Sequence, residues 1–160
     1  MNLRRGKAPV IMVGATEDGV GEVLIGGRGG TTEVQYNDES PLAWRWKVTA
    51  KEELYAYFAG QLRSFSTPCD LCRLSAFSQA VLRIATKIPY GEVRSYRWVA
   101  ERLGKPKASR AVGNALARNP IPIIIPCHRV VRSDGSLGGY TLGLDWKARL
   151  LELERYHSGP

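Results

Sequence analysis

Two apolar runs flank a polar, glycine-containing turn in PVIMVGATEDGVGEVLIGG, residues 9–27. This pattern predicts a β-hairpin, and residues 10–48 as a whole read as extended chain. TTEVQY (31–36) and AWRWKV (43–48) are the further strands expected there. The period then changes. In TAKEELYAYFAGQL (49–62), Leu54, Tyr57, Phe58 and Leu62 recur at helical spacing, with Thr49 as the expected N-cap. That face is structural and carries no chemistry. RSFSTPCDLC (63–72) breaks both periods with Ser, Thr and Pro in a row. The expected organisation is an N-terminal α/β domain over 1–66, a linker over 67–74 and a C-terminal domain over 75–160.

The C-terminal part reads as helical. LSAFSQAVLRIATKI (74–88) places Phe77, Val81, Ile84, Ala85 and Ile88 on one face, capped by Ser75. PYGEV is a turn. SYRWVAERLG (95–104) is a short helix capped by Ser95 and closed by Gly104. KPKASRAVGNALARN (105–119) is a second helix, with Pro106 near its first turn. Two short helices around a glycine-containing turn outline a helix-turn-helix. In the second, Ala108, Ser109, Ala111, Gly113, Ala115 and Ala117 are small, and Arg110 and Arg118 stand among them. Small residues allow close packing on another helix; in a basic chain they also suit a nucleic-acid groove.

IPIIIPCHRV (121–130) predicts a buried strand over Ile121–Ile125, closed by Pro126, with Cys127 at the start of a following helical turn. Free N–H groups and the helix dipole at such a position stabilise a thiolate and lower its pKa. His128 adds a base or a cation. Adjacent helical residues do not face each other, so a bridging water is one route between the two. The rival reading is an inert buried cysteine. The flanking prolines and the SDGSLGGY loop (133–140), whose glycines let backbone approach a flat ligand, weigh against it.

Length and charge narrow the field. The 160 residues suffice for one full core or two small ones, and no apolar run approaches a membrane span. The apolar part of MNLRRGKAPVIMVG is too short and broken for a signal peptide, so a cytoplasmic protein is expected. The net charge of +8 favours a polyanion as partner. Three cysteines and two histidines, at unfamiliar spacings, speak against a metal site. Cys69 and Cys72 form a C-x-x-C pair, readable as a redox pair, a disulfide or two buried thiols. Sixteen arginines against seven lysines hint at a heat-adapted chain, in which cytosolic disulfides are admissible, and a Cys69–Cys72 disulfide pinning the linker to the C-terminal domain is expected, with two free thiols as its rival.

IPCHRVV, preceded by GNALARNPIPII and followed by GGYTLGLDWKARLLELE, resembles the O6-alkylguanine-DNA alkyltransferases (methylated-DNA–protein-cysteine methyltransferases) over residues 75–154. The resemblance implies an α+β chain: a small antiparallel sheet with a helix (RNase H-like), then a winged helix-turn-helix domain carrying the reactive cysteine. Cys127 would accept the alkyl group, and His128 would act through water as its base. Glu154 would orient His128, and Asn119 would tie the recognition helix to the cysteine turn. Tyr96 would help rotate the damaged nucleotide, and Arg110 would fill the gap it leaves. Ala108, Ser109 and Gly113 would meet DNA. Val130, Tyr140, Thr141 and Pro122 would line the guanine pocket; many relatives carry serine at the place of Thr141. The zinc-binding residues of some relatives have no match. The implied protein is a monomer that needs no cofactor, acts once, and binds double-stranded DNA containing O6-alkylguanine, with O4-alkylthymine a further candidate substrate. Two rivals stand. A Cys–His–Glu hydrolase would leave the basic helix without a purpose. A non-catalytic lesion sensor would not need the cysteine.

Overall fold

The computed structural model describes residues 9–26, 34, 36 and 38–158. The fold is α+β, and the chain divides into two compact units, Met1–Leu71 and Cys72–Pro160. In the first unit, β1 (Val10–Thr16) and β2 (Gly19–Gly26) form the expected antiparallel hairpin, with a bulge between Gly14 and Ala15. Ile11, Val13, Val20 and Val23 are buried, and α1 (Pro41–Phe58) packs against both strands through Ala43, Ala50, Leu54 and Tyr57.

Helix α1 corrects the sequence reading. AWRWKV is its first half, not a strand, and Thr49 lies inside it. Ser40 is the N-cap, its Oγ accepting from Ala43 N at 3.2 Å, and Pro41 takes the first helical position. A serine followed by a proline starts a helix strongly enough to override the β preference of Trp and Val. Of TTEVQY only Val34 and Tyr36 are described, so the strand expected there lies outside the described residues.

Residues 66–70 are not a loose tether. Glu53 of α1 accepts from the backbone N–H and hydroxyl groups of Ser66 and Thr67 at 2.5–3.2 Å. Val20 N donates to Pro68 O at 2.8 Å, Asp70 N donates to Val20 O at 2.7 Å, and Val20 and Cys69 form a parallel bridge. All three cysteines carry thiols, so the expected Cys69–Cys72 disulfide is absent. Cys69 is fixed against β2 by that bridge, and burial, with the nearby Glu53 charge, pushes its thiol up to about 12. Cys72 is exposed.

The second unit is built on α2 (Ala76–Ala85), α3 (Tyr96–Arg102), α4 (Ser109–Ala117) and α5 (Leu144–Ser158). Ser75 and Ser95 cap α2 and α3 as expected, accepting from Ser78 N and Trp98 N. Val81, Leu82, Val99, Val112 and Leu116 form the core where α2, α3 and α4 meet. Pro106 lies in the turn before α4, which starts at Ser109, later than the sequence suggests. Two-residue strands β3 (Arg94–Ser95) and β4 (Val130–Val131) pair in parallel, fastening the start of α3 to the chain just beyond Cys127.

Candidate active site

The apolar run before Cys127 is buried throughout but is not a strand. Ile125 N donates to Ile121 O at 3.0 Å, closing a turn in which Ile123 takes a φ of 76°. Pro122 and Pro126 lack N–H groups and cannot supply a ladder. Asn119 supplies the missing partners. Its Oδ1 accepts from Ile121 N at 2.9 Å, and its Nδ2 donates to Ile125 O and to Cys127 Sγ, both at 3.0 Å. Thus one amide, just past α4, shapes the turn and holds the sulfur.

Cys127 opens a single 3-10 turn, Cys127–Arg129, rather than a helix. So short a turn has little dipole. Burial dominates and pushes the thiol up to about 11, against the opposing pull of the Asn119 hydrogen bond and the Lys147 charge. The lowered pKa expected from sequence is therefore not found in this resting arrangement.

His128 is fully buried, with Nε2 2.7 Å from Glu154 Oε1. Burial lowers the pKa of His128, so its resting form is neutral. Burial would raise Glu154, but hydrogen bonds and charges from His128 and Arg129 outweigh it and hold the carboxyl at about 2. An ionised carboxylate can only accept, so Nε2 carries the ring hydrogen and Nδ1 presents its lone pair. Arg129 was not singled out in the sequence. Its Nε and Nη2 donate to Glu154 at 2.9–3.2 Å, and its Nη1 donates to Ile88 O at 2.7 Å. Gly91 N completes the set, donating to Glu154 Oε2 at 3.0 Å. Gly91 has a φ of 79°, and a Cβ there would lie 1.9 Å from Ser158 Oγ. Only glycine fits.

Lys147 was also missed. It is completely buried, and its Nζ donates to the carbonyls of Val130 (2.6 Å), Leu137 and Gly139 (3.1 Å). Burial lowers its pKa to about 8. The ammonium ties the 132–143 loop to the cysteine turn and sits 5.7 Å from the centre of the Tyr96 ring. Its position seven residues before Glu154, two turns back on one helix face with Leu150 between, was the available signal.

The expected DNA-contacting residues gather nearby. Tyr96, Ser109, Arg110 and Gly113 line one open cavity of about 520 Å³, together with Arg132 and Gly138. Ala108 instead borders a separate apolar groove with Lys105, Pro106 and Lys107. Tyr96 Oη donates to Gly139 O at 3.4 Å, and a Cβ on Gly138 would come within 2.5 Å of that hydroxyl. Of the expected pocket residues, Val130 and Pro122 are buried. Thr141 Oγ1 donates to Ala117 O at 3.1 Å. Tyr140 meets His128 edge-on at 6.2 Å between ring centres, and its hydroxyl is buried without a hydrogen-bond partner among the described residues. Among the described residues no cluster of His, Cys, Asp or Glu could hold a metal ion.

A family model described as 6-O-methylguanine DNA methyltransferase, DNA binding domain, matches residues 76–156. The chain belongs to the O6-methylguanine-DNA methyltransferase family. It is 52% identical over 120 residues to a methylated-DNA–protein-cysteine methyltransferase of Mycolicibacterium paratuberculosis, covering 75% of this chain and 70% of the relative. It is 44% identical over 146 residues to the protein of the same name from Mycobacterium leprae, covering 86% and 88%. In solved structures, Mycobacterium tuberculosis OGT in complex with DNA superposes with a TM-score of 0.78 at 37% identity, covering 92% of this chain and 87% of that one. The methyltransferase family match spans every residue of the Asn119–Cys127–His128–Glu154 constellation.

Proposed function

We propose that this chain repairs DNA by moving an alkyl group from O6 of guanine to Cys127, irreversibly and once per molecule. The observation that carries it is the Asn119-held Cys127 sulfur beside the neutral, Glu154-anchored His128, inside the stretch matched by the family model. At neutral pH the sulfur rests as a thiol, so a base must act during transfer. His128 Nδ1 takes the thiol proton through a bridging water, and the Glu154 carboxylate stabilises the imidazolium. The S–C bond forms as the C–O6 bond breaks, and that electron pair stays on guanine. Guanine then takes up one proton while His128 returns one, so the thiol proton ends on the released base. The product is a thioether, which water does not hydrolyse under mild conditions.

O6 is hidden in the base stack, so the nucleotide must be turned out of the duplex. Arg110, exposed on the small-faced α4, occupies the vacated space from the minor groove in this reading. The N-cap Ala108 supplies no side-chain hydrogen bond to the start of α4, whose first N–H groups would suit a phosphate. Tyr96 turns the nucleotide; Tyr140, Thr141, Val130 and Pro122 receive the base. The working form is a monomer acting on double-stranded DNA in the cytoplasm. No helix among the described residues is long and apolar enough to cross a membrane.

Intact-mass analysis after incubation with an O6-methylguanine duplex tests this reading. One methyl group should replace one hydrogen on Cys127, with one guanine restored per protein molecule. Cys127→Ser should abolish transfer and keep DNA binding. Sustained turnover would instead identify a hydrolase, and no mass gain a lesion sensor.

A further inference from the structure

The cavity beside α4 holds three arginines, and they are not equivalent. Arg97 is paired with Glu101 at 2.9 Å. Arg110 and Arg132 have no ion pair and no side-chain hydrogen bond among the described residues, and both are exposed. Arg110 belongs to the helix, but Arg132 comes from the turn directly after β4. Its backbone is anchored there: Arg132 N donates to Ser136 O and Gly135 N to Arg132 O, both at 2.9 Å. Asp134, the acid nearest in sequence, is engaged by Ser136 N and Oγ at 2.9 and 2.7 Å. The guanidinium therefore stands on a fixed turn, within the field of the Asp134 carboxylate but in no ion pair with it, and borders the cavity with Tyr96 and the glycines against which that ring leans.

We propose that Arg132 binds a phosphodiester flanking the extruded nucleotide, so that Arg110 and Arg132 divide the work. This rests on the alkyl-transfer reading above. A guanidinium forms paired hydrogen bonds to phosphate oxygens and carries no base information, so Arg132 acts on the backbone. Arg110 acts on the hole in the stack. The phosphate that Arg132 holds keeps the turned nucleotide against Tyr96 and at the mouth of the Cys127 pocket. Arg132 is accordingly a positioning residue, needed wherever a phosphate flanks the lesion, in duplex or single strand.

The test pairs a protein change with a substrate change. Arg132→Ala should slow transfer about tenfold from both a duplex and a single-stranded oligonucleotide, the scale of one lost charge-assisted contact. Transfer to free O6-benzylguanine, which has no phosphate, should be unchanged. Replacing each phosphate beside the lesion in turn with an uncharged methylphosphonate should find one position that slows the wild type equally and leaves Arg132→Ala unaffected. The same pairing read by equilibrium binding should lower the salt slope by about one for either change and no further for both. Arg132→Lys should recover part of the loss. The proposal is overturned if free O6-benzylguanine transfer falls with the DNA substrates, if removing Arg102, an exposed arginine stacked on Trp98 and not among the cavity's lining residues, by Arg102→Ala costs as much, or if every methylphosphonate acts additively with Arg132→Ala. Absence of transfer by the wild type would sink the alkyl-transfer reading, while the binding arm would still decide whether Arg132 holds a phosphate.

Discussion

Glu154 accepts from His128, Arg129 and Gly91 at once, which makes it the hub of the buried polar group. Its consequence for stability has a definite sign. The folded carboxyl titrates near 2 and an ordinary one near 4.5, so below 4.5 the unfolded chain binds the proton more readily. Glu154 therefore adds stability above about pH 4.5 that is lost as pH falls toward 2. His128, whose pKa is lowered from 6.5 by burial, acts in the same direction from about pH 6.5 downward. The urea midpoint should fall steadily between pH 6.5 and 3. Glu154→Gln should cost about 3–5 kcal/mol at pH 7, because Arg129 is left charged and buried, and should flatten that pH dependence. An unchanged slope in the variant would show that other carboxyls govern acid unfolding. Above pH 8 two opposing terms enter. Lys147 near 8 makes stability rise with pH toward 10.5, and Cys127 near 11 makes it fall between 9 and 11.

At the level of elements, the turn over Ile121–Ile125 sets the sulfur's position, and it contains an isoleucine at a φ of 76°. A β-branched residue there costs about 1–3 kcal/mol. The side chain is completely buried, and truncating such a residue costs about 2–5 kcal/mol. Burial wins, so Ile123→Gly should destabilise by about 1–3 kcal/mol despite relieving the backbone. A rise in melting temperature for this variant would reverse that ranking. This turn also marks where sequence reading stops. Cys127 and His128 were legible from the proline-flanked pair itself, Asn119 and Glu154 only through the family resemblance, and the caps Ser75 and Ser95 because capping is local. The run of isoleucines was not, because a buried apolar stretch has the same composition in a strand or a turn. Nor was α1 from Pro41, since Trp and Val suit a strand and only the Ser40–Pro41 pair indicated a helix. Arg129 and Lys147 escaped notice because their partners are distant in the chain: Ile88 for one, and the carbonyls of Val130, Leu137 and Gly139 for the other.

Over the whole molecule, a net charge of +8 spreads DNA affinity across many side chains, so removing one arginine should leave most of it. Arg110 is exposed, lines the cavity with Tyr96, and stands on α4 among small residues. If, as proposed, it holds the stack open, its effect should scale with how well the lesion is stacked. Arg110→Ala should slow transfer from a fully paired duplex far more than from a mismatched one, because a poorly paired base costs less to extrude. On a single strand, where no hole needs filling, the variant should match the wild type. On free O6-benzylguanine it should match again, since Cys127, His128 and Glu154 are untouched. The contrast with Arg132 is sharp: loss of Arg132 should persist on the single strand, and loss of Arg110 should not. Rates measured on the four substrates, at a salt concentration held constant, give each arginine its own signature. If Arg110→Ala were equally slow on all four, its role would be to support the fold of α4, and the filling of the duplex would have to be assigned to another residue.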